Sequence, residues 1–98
     1  MIRILTALTL CAGLATPAVA QTYTFEGTWD CQVATFVFTG TTYDNGTDTL
    51  TIDSIDGADG EYLINFPDGY QIVLADVTDT TMTWLSGASG DVFDCTRL

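Results

Sequence analysis

Tyr23-Thr24-Phe25-Glu26-Gly27-Thr28-Trp29-Asp30-Cys31 places its aromatic and small residues at odd positions and its polar residues at even ones. A period of two belongs to a β-strand with one dry and one wet face. The stretch therefore reads as a half-buried first strand ending on a cysteine. At the far end, Phe93-Asp94-Cys95-Thr96-Arg97-Leu98 carries the only other cysteine beyond the N-terminal leader. A Cys31–Cys95 disulfide is expected to tie the first strand to the last and curl the sheet onto itself.

The leader sets the remaining counts. Met1-Ile2-Arg3 is a short positive segment, Ile4 to Leu14 is apolar, and Pro17-Ala18-Val19-Ala20 offers a small-residue cleavage site before Gln21. Residues 1–20 are expected to be a signal peptide, and residues 21–98 a single domain, exported to a periplasm or secreted. Cys11 follows Leu10 rather than the small residue that lipid attachment needs, so it belongs to the leader. No later segment approaches the ~18 apolar residues of a membrane span. So small a domain buries only about 60–65% of its unfolded surface and is marginal by its core alone. Closing the loop between Cys31 and Cys95 adds roughly 4 kcal/mol on the chain-entropy view, a large share of its stability. An export leader and an even cysteine count agree with that bridge.

Charge excludes some partners. All 13 acidic residues follow the leader, where Arg97 is the single cation, leaving −12 with no Lys and no His. One cation cannot neutralise a run of phosphates, so nucleic acid is excluded, and an anionic membrane surface is disfavoured likewise. The acid excess suits a soluble monomer, or a surface that steers a basic protein into contact.

Beyond Cys31 the pattern stays β. Val33 to Thr39 carries Phe36, Val37 and Phe38. Asn45-Gly46 is a strong short-range hairpin signal; with Thr47 it is also a formal glycosylation sequon, read here as a turn. Leu50 and Ile52 alternate with polar residues until Asp56-Gly57-Ala58-Asp59-Gly60. Tyr62, Ile64 and Phe66 share one face, Pro67-Asp68-Gly69 is a turn, and Tyr70, Ile72 and Leu74 return. Met82 and Trp84 alternate with threonines, Ser86-Gly87-Ala88-Ser89-Gly90 is a loop, and Val92 to Leu98 is the last strand. Fifteen threonines and eleven aromatics within residues 21–98 favour strand throughout. The expected fold is all-β: a small antiparallel up-and-down β-barrel of six to eight strands closed by one disulfide. The aromatics are expected to fill it, leaving no roomy cavity.

Gly27-x-Trp29 on the first strand with Arg97 on the last resembles the closing device of calycin barrels, the lipocalin and avidin-like group. That resemblance implies a barrel in which the Arg97 cation packs on the Trp29 ring. Separately, Ala88-Ser89-Gly90-Asp91-Val92-Phe93 is similar to the Ser-Gly-x-x-Tyr loop of the periplasmic inhibitors of c-type lysozyme, with Phe93 where that family has Tyr. The likeness implies an interaction loop of Ser86, Ser89, Gly90 and Phe93, with Ser89 entering the lysozyme cleft and the acidic body accelerating association with a basic enzyme. The same residues also read as a plain glycine-rich hairpin loop.

Catalysis is not expected. Without His, Lys or a free Cys the usual nucleophile–base pairs are missing, and among 13 acids no pair is singled out for glycoside chemistry. Asp53, Asp56, Asp59 and Glu61, and again Asp44, Asn45 and Asp48, are oxygen-rich but lack the alternate spacing of a calcium loop; they read as solvated turns, with no metal and no cofactor. Trp29 and Trp84 could form an aromatic shelf for a ligand, but their parity assigns them to the core. The expectation is a non-catalytic binding or interaction module of unknown ligand, its partner a basic protein or a small ligand. Alternatives are an inhibitor of a basic hydrolase such as lysozyme, or a structural envelope component.

Overall fold

A computed structural model describes residues 22–98, so the expected signal peptide lies outside the described residues. Nine strands follow one another: β1 (Gly27–Asp30), β2 (Thr35–Phe38), β3 (Thr42–Asp44), β4 (Thr49–Thr51), β5 (Ser54–Ala58), β6 (Glu61–Asn65), β7 (Gln71–Ala75), β8 (Thr81–Ser86) and β9 (Val92–Arg97). They form one sheet in the order β4-β3-β2-β1-β9-β8-β7-β6-β5, antiparallel at every step, with no helix among the described residues.

Two corrections follow. There are nine strands rather than six to eight, and the sheet is an open, curled half-barrel rather than a closed barrel, because β4 and β5 are edges that do not pair. The extra strands left no alternation to read. β3 is three residues long, and all but one of the five β5 residues are exposed. The antiparallel order also makes β4 and β5 run in the same direction, and only Ile52 and Asp53 lie between them. Ile52 N–H donates to Thr41 O at 2.8 Å and Asp53 N–H to Asn65 O at 2.7 Å. One bent run of chain thus leaves the β3 side and joins the β6 side, so at this edge the sheet is continuous through the backbone and not through a ladder. Buried Ile52 fills the crossing.

The disulfide joins Cys31 to Cys95. It extends the β1–β9 ladder, in which Trp29 faces Arg97 and Asp30 faces Thr96. Tyr23 to Glu26 has the expected sidedness but is a turn, closed by Glu26 N–H to Tyr23 O at 3.0 Å, so the ladder starts only at Gly27. The buried face gathers Phe25, Trp29, Phe36, Phe38, Tyr43, Tyr62, Ile64, Ile72, Leu74 and Trp84 into one cluster. Edge-to-face pairs such as Phe25–Phe38 at 5.7 Å and Phe36–Tyr43 at 5.4 Å hold it together, each worth about 0.5–1.5 kcal/mol beyond area burial.

Arg97 clips the start of the chain to its end. Its Nη1 donates to Glu26 O at 2.7 Å, its Nη2 to Thr24 O, and its Nε to Asp79 O at 2.6 Å. Its guanidinium carbon lies 4.3 Å from the Trp29 ring centroid, while Trp29 Nε1–H donates to Phe25 O at 2.9 Å. Gly27 makes room for the guanidinium: at φ +131° it adopts a backbone that other residues avoid, and a Cβ there would stand 2.4 Å from Arg97 Nη1.

Candidate functional site

Parity sends Phe36 of β2, Tyr43 of β3 and Trp84 of β8 to the same face, and curling the sheet brings these strands opposite one another. At one end the filling is incomplete. A cleft of about 280 Å³ remains, lined by Phe36, Tyr43, Tyr70, Trp84 and Phe93, with Val33, Ala34, Asn45 and Thr47 completing its lining. Trp84 stacks on Phe93 with centroids 5.4 Å apart and meets Phe36 at 5.3 Å. The rim is built by turn chemistry: Asn45 Oδ1 accepts from Thr47 N–H at 2.9 Å and Asp48 N–H at 2.8 Å, and Gly46 turns at φ +92°.

The polar groups on the lining residues, those of Tyr43, Asn45, Thr47, Tyr70 and Trp84, are all neutral. Trp84 Nε1 is the one buried side-chain polar atom among the described residues without a hydrogen-bond partner. Trp84 favours the ionised form of the Tyr43 hydroxyl. Burial outweighs this influence and, with Tyr70 and Asp44 nearby, pushes the Tyr43 hydroxyl well above the usual phenol range, so it stays protonated and able to donate. Tyr70 Oη and Ser86 Oγ are 3.1 Å apart. No charged side chain lines the cleft. A second cleft of about 240 Å³, near the β4 edge, is lined by Leu50, Thr51, Phe66, Pro67 and Asp68; it has one aromatic ring and no unpaired buried polar atom.

The residues of the expected interaction loop separate into different roles. Ser86 is buried and anchors the loop: its Oγ accepts from Ala88 N–H and Ser89 N–H, both at 3.2 Å. Ser89 is exposed, and its hydroxyl donates to Asp91 Oδ2 at 3.0 Å. Gly90, exposed at φ +78°, completes the turn by donating to Ser86 O at 3.0 Å. Phe93 leaves the loop and becomes a wall of the cleft. Gly27, Trp29 and Arg97 belong to the clip described above and are absent from the cleft lining. Trp84 has the burial expected of a core residue, yet it also lines the cleft. Sequence reasoning reads Asn45 and Thr47 only as a turn and a sequon, and Asn45 as part of an oxygen-rich turn, and assigns neither these nor Phe36, Tyr43, Tyr70, Val33 and Ala34 to a cleft. The available signal was the Asn45-Gly46 turn, which places Tyr43 and Thr47 at a strand end where the interior opens. Asp56 and Glu61, from one of the acidic runs, are engaged locally: Asp56 Oδ2 accepts from Asn65 Nδ2–H at 3.1 Å, and Glu61 Oε2 from Asp76 N–H at 2.9 Å.

No family model, curated protein or solved structure matches this chain. No described helix is long and apolar enough to cross a membrane.

Proposed function

We propose that the chain is an exported, non-catalytic binding module whose binding site is the aromatic cleft between β2–β3 and β8–β9. The observation that carries this reading is the buried, unpartnered Trp84 Nε1 in a concave, aromatic-lined site. Small-ligand sites are mostly apolar hollows with a few placed polar groups, and an unsatisfied buried donor in an otherwise well-paired protein asks for an explanation. The disulfide suits an oxidising compartment, in keeping with the leader. The test is ligand-observed NMR with a set of small uncharged aromatics and the oxidised chain. Binders are expected that Thr47→Trp displaces by filling the mouth from an exposed turn. Binders unaffected by Thr47→Trp, or none at all, would contradict the reading.

A second reading, inhibition of a basic hydrolase such as lysozyme, draws on the exposed Ser89 loop held from beneath by Ser86 and on the acidic composition. Titration against a c-type lysozyme at low and moderate salt separates the two. On this second reading muramidase activity falls and Ser89→Trp restores it; binding without inhibition that salt abolishes is charge attraction alone. Failure of both readings leaves a structural role in the envelope.

A further inference from the structure

Resting on the cleft as the binding site, its chemistry narrows the ligand. The cleft lies just below the usual range of about 300–1,000 Å³ for small-molecule pockets, which suits one or two fused rings. Its walls are aromatic faces and edges, with Trp84 stacked on Phe93 and tilted against Phe36, so a flat molecule gains offset stacking that a globular one does not. Among the polar groups lining it, Tyr70 Oη is taken up by Ser86 Oγ and Asn45 Oδ1 by the turn amides, which leaves the Tyr43 hydroxyl and Trp84 Nε1–H as the donors set among the aromatic walls. Donors present positive ends, which disfavour a cation, while an acidic protein with no cation in the cleft disfavours an anion. What fits is a neutral acceptor.

We propose that the cleft takes an uncharged, planar aromatic molecule bearing one carbonyl-type acceptor, which the Tyr43 hydroxyl receives with the Trp84 indole N–H behind it. Seating the ligand orders the pair: Trp84 Nε1–H donates to the Tyr43 oxygen, and the Tyr43 proton turns outward to the ligand carbonyl. A carbonyl-free ring of the same size stacks but leaves both donors as they are.

Calorimetric titration of the oxidised chain with coumarin, naphthalene and 2-naphthoate tests this. Coumarin has the carbonyl, naphthalene lacks it, and 2-naphthoate adds a negative charge. Coumarin is expected to bind about tenfold more tightly than naphthalene, the effect of one buried hydrogen bond, and 2-naphthoate to bind most weakly. Tyr43→Phe, which keeps the ring, should bring coumarin down to naphthalene's affinity. Equal binding of coumarin and naphthalene, both displaced by Thr47→Trp, would overturn the acceptor rule while leaving the cleft as the site. Tightest binding by 2-naphthoate would overturn the neutral-ligand rule. Binding by none of the three would overturn the cleft reading itself.

Discussion

At the residue scale the two tryptophans divide the molecule's tasks. Trp29 is fully satisfied: its N–H is bonded to Phe25 O, its ring lies under Arg97, and Gly27 leaves space for the guanidinium. Trp84 is equally core-like by parity but keeps an unpaired N–H. Gly27→Ala must meet Arg97 Nη1 and adopt an unfavourable φ, so a loss of about 2–3 kcal/mol is expected. Thermal denaturation should register it as a fall of roughly 10–20 °C; an unchanged midpoint would contradict the clip. Tyr43 predicts an alkaline limb. In the unfolded chain its phenol loses a proton near pH 10, whereas burial keeps it protonated in the fold. Above about pH 10 the folded state therefore holds more protons, and stability falls with rising pH by up to about 1.4 kcal/mol per unit. Urea unfolding across that range should show this fall, and Tyr43→Phe should flatten it. Parity alone located the buried rings, but it could not distinguish a paired indole from an orphaned one, because that depends on a partner from another strand.

At the element scale, β1 and β9 carry the closure. Their ladder pairs only Trp29 with Arg97 and Asp30 with Thr96 before the disulfide continues it. Replacing both cysteines, Cys31→Ala with Cys95→Ala, is expected to remove roughly 4 kcal/mol. That loss should bring thermal unfolding close to ambient temperature; a loss below about 1 kcal/mol would mean that aromatic packing alone closes the sheet. The pairing was legible because both cysteines sit on alternating runs at the two ends of the chain. β5 was not, since its exposed Ser54, Asp56, Gly57 and Ala58 give no hydrophobic period; the β6 ladder, the Asn65–Asp56 hydrogen bond and partly buried Ile55 hold it. β3 escaped notice because three residues beside a turn are too few to show a period.

At the scale of the whole molecule, the described fold is an aromatic core wrapped by a curled sheet whose open edge is bridged by a single bent run of chain. The charge of residues 21–98, −12 with Arg97 the single cation, works against compactness. Raising monovalent salt from about 0.01 M to about 0.1 M shortens the Debye length from about 30 Å to about 10 Å. The melting temperature is expected to rise accordingly, whereas a fall would mean that attractive pairs dominate the surface. The all-β class and the disulfide could be read from the chain, but the open edge and the cleft could not. Both arise from where the curl fails to bring strands together, a property of the assembled sheet and not of any one strand. The most direct test of the account is a proton–nitrogen NMR spectrum of the two indole groups during titration of the oxidised chain with coumarin. The Trp84 N–H resonance is expected to move progressively while the Trp29 N–H resonance stays in place. If both stay fixed, or both move together, the division between a structural and a binding tryptophan is wrong.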